Sequence, residues 1–189
     1  MKAVEALPQG YKEYYSLNLQ KDKKVALLVN AISLVIAILL IIPMHFVVPI
    51  YTIFNGDVRS LIRLGSLAIL FIVYMVLHEL VHGIAMKSCG TKKVKYGFTG
   101  MYAFAGSNDY YDKKSYIYIA LAPIVLLGII IAFINLVVPA EWFWVVYFIQ
   151  IANLSGAAGD LFVTVKFSRF PKDILIKDYG VGMTVYSKE

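Results

Sequence analysis

Three residues within one five-residue stretch carry the most specific chemistry in this chain. They are His78, Glu79 and His82, in the order His78-Glu79-Leu80-Val81-His82. On an α-helix, positions four apart lie about 40° apart around the axis, so both imidazoles can face one metal ion. Glu79 is rotated about 100° from His78, which places it badly for ligation and well for taking a proton from water beside the metal. With three histidines and five glutamates in 189 residues, this pattern arises by chance with a probability on the order of one in a thousand. A haem does not suit the pair, because two histidines on one helix cannot occupy opposite axial positions. A catalytic zinc needs a third protein ligand and an open position. The candidates for that ligand are Asp160, His45 and Cys89.

The elements that must position these groups are set by composition. Hydrophobic residues make up 60% of the chain and charged residues 16%, against about 45–50% and about 25% in a soluble domain. The mean hydropathy is +0.71. A soluble globule of this length cannot bury so much apolar side chain, so the sequence reads as an integral membrane protein. A single cysteine, Cys89, excludes an internal disulfide. The net charge of +6 points to lipid headgroups rather than nucleic acid.

Four stretches, residues 25–50, 64–86, 115–138 and 142–165, are long and apolar enough to cross about 30 Å of hydrocarbon as helices. Pro43 and Pro49 bend or end the first, and Pro123 kinks the third. The expected fold is an all-α membrane protein, with residues 1–24 and 166–189 as polar segments on either side of a four-helix core spanning 25–165. A short hairpin or loop is expected over 91–105, where Val94, Tyr96 and Phe98 alternate. Sixteen lysines and arginines fall in residues 1–24, 87–114 and from 166 onward, against Arg59 and Arg63 in the other connections. Positive-inside counting puts both termini and the 87–114 connection in the cytoplasm, in a multi-pass protein of the cell membrane.

Depth then selects among the ligands. His82 lies five residues before Lys87, and Asp160 six before Lys166, on helices running the same way. At about 1.5 Å per residue these positions agree to within one turn. His45 falls near the opposite end of the first helix, and Cys89 lies beyond Lys87. Small residues at 155–159 allow the close helix approach that a short aspartate needs. Asn153, two turns from Asp160 on nearly the same face, is a candidate either for holding a peptide substrate or for joining two helices. Tyr96 is a candidate for pairing a substrate strand at the membrane surface, with Gly97 and Gly100 admitting a close backbone.

On residues 78–82 and the later stretch Asn153 to Asp160, the chain resembles the intramembrane zinc metalloproteases of the site-2 protease type, and among them the small bacterial zincin peptidases. The resemblance covers essentially residues 25–165. It extends more loosely to the basic 87–114 connection and to Asp178-Tyr179-Gly180-Val181-Gly182. It implies that His78, His82 and Asp160 hold zinc (Zn2+) and that Glu79 activates water. The proline usual after the asparagine is missing, and Leu161 replaces the usual glycine after the aspartate.

The expected function is hydrolysis of peptide bonds in membrane-tethered proteins near the cytoplasmic face, with membrane lipid and a membrane-protein or peptide substrate as partners. The alternative from another class is a non-catalytic membrane metal-binding regulator, chaperone or immunity factor. Glu79 favours catalysis, since a structural zinc site has no need of it.

Overall fold

The computed structural model describes residues 3–18, 20–54, 56–100 and 103–188. Lys2, one of the lysines in the charge count, lies outside these. Four helical stretches are long and apolar enough to cross a membrane. They are α1 (Lys23–Val47), α2 (Val58–Ser88), α3 (Lys113–Val137), and a fourth formed by α4 (Phe143–Gly156) and α5 (Ala158–Ser168) in succession. Aspartates start the first three. Asp22, Asp57 and Asp112 accept from the backbone N–H of Val25, Ser60 and Ser115, satisfying donors that the first turn leaves free. Pro43 and Pro123 lie inside their helices, and Pro49 instead precedes a 3-10 turn, Ile50–Ile53.

The fourth stretch is not the single continuous helix expected from its hydropathy. It breaks at Ala157, where φ −83° and ψ 17° leave the helical region between Gly156 and Ala158. Ser155, Gly156 and Gly159 provide too little side-chain packing to hold the ladder straight, and glycine weakens a helix interior. The break places Asp160 in the first turn of α5, where the free N–H groups favour an anion. In the bundle α4 packs against α1, α2 and α3, while α5 lies on α3 and α1.

The expectation of an all-α fold also needs correction. Beyond the helices lies a four-stranded antiparallel sheet, in the order β1 (Tyr11–Leu17), β6 (Met183–Lys188), β5 (Leu175–Asp178), β4 (Tyr110–Asp112). A separate hairpin pairs β2 (Lys95–Phe98) with β3 (Ala103–Gly106), within the expected 91–105 connection but running one residue past it. Both polar ends of the chain, read from sequence as simple segments, are thus strands of one sheet. Hydropathy alone misses them, because short half-exposed strands carry no apolar run and their partners are far away in sequence: Tyr11 pairs with Lys188.

The sheet is sealed onto the helix ends by one apolar cluster. Leu17, Tyr111, Ile176 and Val185 pack with Met86 of α2, Ile119 of α3 and Phe167 of α5. Ile176 is fully buried and sits on an interior strand. Ile176→Ala should therefore destabilise the protein by about 2–5 kcal/mol, through lost burial and the cavity left behind. Denaturant unfolding of detergent-solubilised wild type and variant measures this, and a change below about 1 kcal/mol would mean the sheet is not coupled to the helices.

Candidate metal centre

Ligand atoms from two distant parts of the sequence meet between α2 and α5. His78 Nε2 lies 3.5 Å from Asp160 Oδ2, and His82 Nε2 lies 3.6 Å from the same oxygen. One ligand atom from each of the three residues falls within 4.8 Å of the other two. Zinc bonds of about 2.0–2.1 Å in a tetrahedron put neighbouring ligand atoms about 3.4 Å apart. The two histidine–aspartate separations match that edge, and two imidazoles with a carboxylate suit zinc in chemistry.

The proton positions agree with ligation. His82 Nδ1 lies 2.9 Å from the carbonyl oxygen of Ile119. A carbonyl only accepts, so Nδ1 carries the ring proton and Nε2 keeps its lone pair. The hydroxyl of Tyr74 lies 3.0 Å from His78 Nδ1 and donates to Asn153 Oδ1 at 3.4 Å. With the tyrosine proton directed at Asn153, His78 Nδ1 also donates, and its Nε2 is likewise free. Both histidines are buried, which keeps these hydrogen bonds away from competing water.

The centre opens into a cleft of about 540 Å³ lined by Phe71 and Glu79 of α2, Gly159 and Asp160 of α5, and Phe104 and Ala105 of β3. Glu79 accepts a hydrogen bond from the backbone N–H of Ala105, which aims its carboxylate from the strand side. In an antiparallel strand N–H and C=O groups alternate between edges, so Ala103 presents its own pair on the same edge as Ala105. The hairpin is seated by glycines. Phe104 lies over Gly97 and over Gly180, whose φ of +85° needs glycine, and a Cβ at either position would collide with its ring.

The other sequence candidates are placed as follows. Asn153 is fully buried, and both ends of its amide are engaged: Oδ1 accepts from Tyr74, and Nδ2 donates to the Ile124 carbonyl at 3.0 Å. Tyr96 lies on β2, the strand away from the cleft, with its hydroxyl against Gly83 of α2. His45 accepts from the Ile50 backbone at the other end of α1. Cys89 is buried beyond α2 and lies apart from the cluster.

Reading the sequence for ligands passed over Tyr74 and Asp178. Tyr74 had a visible signal, since positions 74, 78 and 82 share one helix face. Asp178 lines the cleft from β5 and accepts from Gly180 N–H at 2.7 Å and from the Tyr116 hydroxyl at 2.9 Å. No spacing in the sequence links it to α2.

More than half of the chain, residues 71–175, matches the family model described as "Putative zincin peptidase". The chain belongs to this zincin family. A protein of Pyrococcus woesei described as an "Uncharacterized 24.7 kDa protein in gap 5'region" is 32% identical over 125 residues, covering 64% of this chain. The aligned part is 54% of that relative's length, so this chain spans about half of it. No solved structure matches the chain.

Asp178 lies outside the membrane-spanning segments, and burial pushes its carboxyl above the ordinary value of 3.8, against the lowering effect of the Gly180 and Tyr116 hydrogen bonds. A raised acid favours the protonated folded state. Its stabilising contribution is complete below the unfolded value and is lost as pH rises through the folded one. Asp178→Asn removes that loss, so its stability relative to wild type should improve as pH rises above the ordinary carboxyl value of 3.8. Denaturant melts of both proteins across that range test this, and a difference independent of pH would show that Asp178 titrates normally.

Proposed function

We propose that this chain is an intramembrane zinc endopeptidase of the site-2 protease type, cutting membrane-tethered proteins close to the cytoplasmic face. One observation carries the reading: two imidazoles and a carboxylate converge on apolar helices, and a second carboxylate, Glu79, lines the same cleft. Zinc held by His78, His82 and Asp160 would supply a Lewis acid for the scissile carbonyl and lower the pKa of a water molecule. Glu79, oriented by Ala105 N–H, takes the water proton and returns it to the leaving amine.

A helical substrate hides its amides in its own ladder, so the reacting segment must be extended. The cleft edge of β3, with the Ala103 and Ala105 backbone groups, can receive it by strand addition. Tyr96, packed on Gly83, braces β2 behind that strand. Asn153 serves His78 through Tyr74, and so acts in holding the site rather than the substrate. Membrane lipid surrounds the helices, whose outward faces expose residues such as Leu39, Ile69 and Leu126.

Glu79→Gln keeps the shape and removes the base, while alanine at His78, His82 or Asp160 removes a ligand. Purified wild type and Glu79→Gln should each carry about one zinc per chain, and the alanine variants much less. Only wild type should hydrolyse membrane-embedded peptides. Zinc at full occupancy in Asp160→Ala would overturn the ligand set. Zinc without hydrolysis across many membrane substrates would favour the metal-binding regulator instead.

The basic residues at the sheet-bearing end support a cytoplasmic placement for that end and both termini. In a Cys89→Ser background, a cysteine at Gly56 should react with an impermeant reagent added outside sealed cells. One at Ser187 should not. The opposite labelling pattern would invert the topology and move the site to the other face.

A further inference from the structure

The third helix contributes no ligand to the centre, yet both histidines are tied to it. His82 Nδ1 donates to the Ile119 carbonyl at 2.9 Å. His78 reaches α3 through two side chains: its Nδ1 meets the Tyr74 hydroxyl, Tyr74 donates to Asn153, and Asn153 Nδ2 donates to the Ile124 carbonyl. Ile119 and Ile124 flank Pro123, the proline inside α3.

This arrangement follows from helix geometry. A regular helix would satisfy the Ile119 carbonyl with the N–H of residue 123, four positions on. Proline has no N–H, and its ring presses on that carbonyl. Ile119 is 2% exposed, so the released acceptor has no water to turn to, and His82 is the donor that meets it. On the other arm, a Cβ at residue 128 would stand 3.1 Å from Asn153 Nδ2. Gly128 therefore leaves the amide room to approach the Ile124 carbonyl.

We propose that α3 is the positioning element of the metal centre. Pro123 frees one carbonyl to hold His82, and Tyr74 with Asn153 links His78 to a second carbonyl one turn further on. Both rings are thereby fixed with Nδ1 protonated and Nε2 turned toward Asp160. Pro123, Tyr74 and Asn153 are positioning residues, acting on the metal only through the histidines. The inference rests on the zinc reading above and specifies what orients its ligands.

The test uses the full chain in detergent, with zinc affinity measured by chelator competition, cobalt(II) absorption as a report on ligand geometry, and thermal unfolding of the metal-free protein. Pro123→Ala returns an N–H to compete for the Ile119 carbonyl, and Tyr74→Phe cuts the other arm. Each should bind zinc about ten- to a hundredfold more weakly and shift the cobalt spectrum. The metal-free Pro123→Ala protein should unfold no earlier than wild type, because alanine suits a helix better than proline. Incorporating the α-hydroxy analogue of alanine at position 123, which like proline has no N–H, should restore the affinity. Wild-type affinity and spectra in both Pro123→Ala and Tyr74→Phe would overturn the positioning role. So would affinity losses that merely track earlier unfolding of the metal-free variants. Failure of the wild type to bind zinc would instead overturn the zinc reading on which the inference stands.

Discussion

Hydrocarbon offers no hydrogen-bond partner, and that constraint governs how the polar groups of the candidate site are arranged. A carboxylate at membrane depth is costly unless charge or hydrogen bonds answer it. Asp160 is answered by His78 and by His82, and it lies in the first turn of α5, the positive end of that helix's dipole. Each histidine then needs an acceptor for its second nitrogen, which draws in Tyr74, Asn153 and a carbonyl of α3. The polar network is therefore closed on itself, and its one open side is the cleft. A network satisfied in this way specifies a single arrangement of the surrounding helices, because any slip leaves a buried donor or acceptor unpaired.

Two departures from regular helix lie on the elements that wall the cleft. Pro123 removes a rung from α3, and Ala157 interrupts the fourth span. Into the space beside them comes β3, whose backbone touches Glu79, nine residues before the end of α2. At about 1.5 Å per residue, the hairpin reaches well inside the level of the helix end. Non-helical backbone at such a depth is tolerated only where protein or a polar cavity lies against it, and here α2 and the cleft provide both.

Much of this was legible in the sequence. Apolar runs located the four spans, since nothing but a helix can satisfy twenty backbone groups in lipid. Counting residues from flanking lysines put Asp160 level with His82, and the two side chains meet at 3.6 Å. The hairpin showed in the alternation at Val94, Tyr96 and Phe98. The four-stranded sheet did not show, because its pairing joins residues 11–17 to 183–188 and no local pattern encodes a partner so far away. The break at Ala157 was present as a run of small residues, which by itself reads equally as close helix packing. Pro123 read as a kink. The acceptor it releases becomes visible only when His82 is seen beside it.

The first strand of the chain also bears on how the molecule is made. Val4 bridges Tyr110 on the open edge of β4, with two backbone hydrogen bonds of 2.9 Å, while β1 covers the opposite edge along β6. A segment synthesised before α1 thus borders the sheet on both sides. During translation, at about 5–20 residues per second, residues 11–17 must wait unpaired until β6 has left the ribosome and all four spans are in place. The four-stranded sheet cannot be completed before β6 is made. A chain stalled before β6 would present α2 and α5 with the sheet unfinished, and with a bare strand available to whatever chaperone or protease is near.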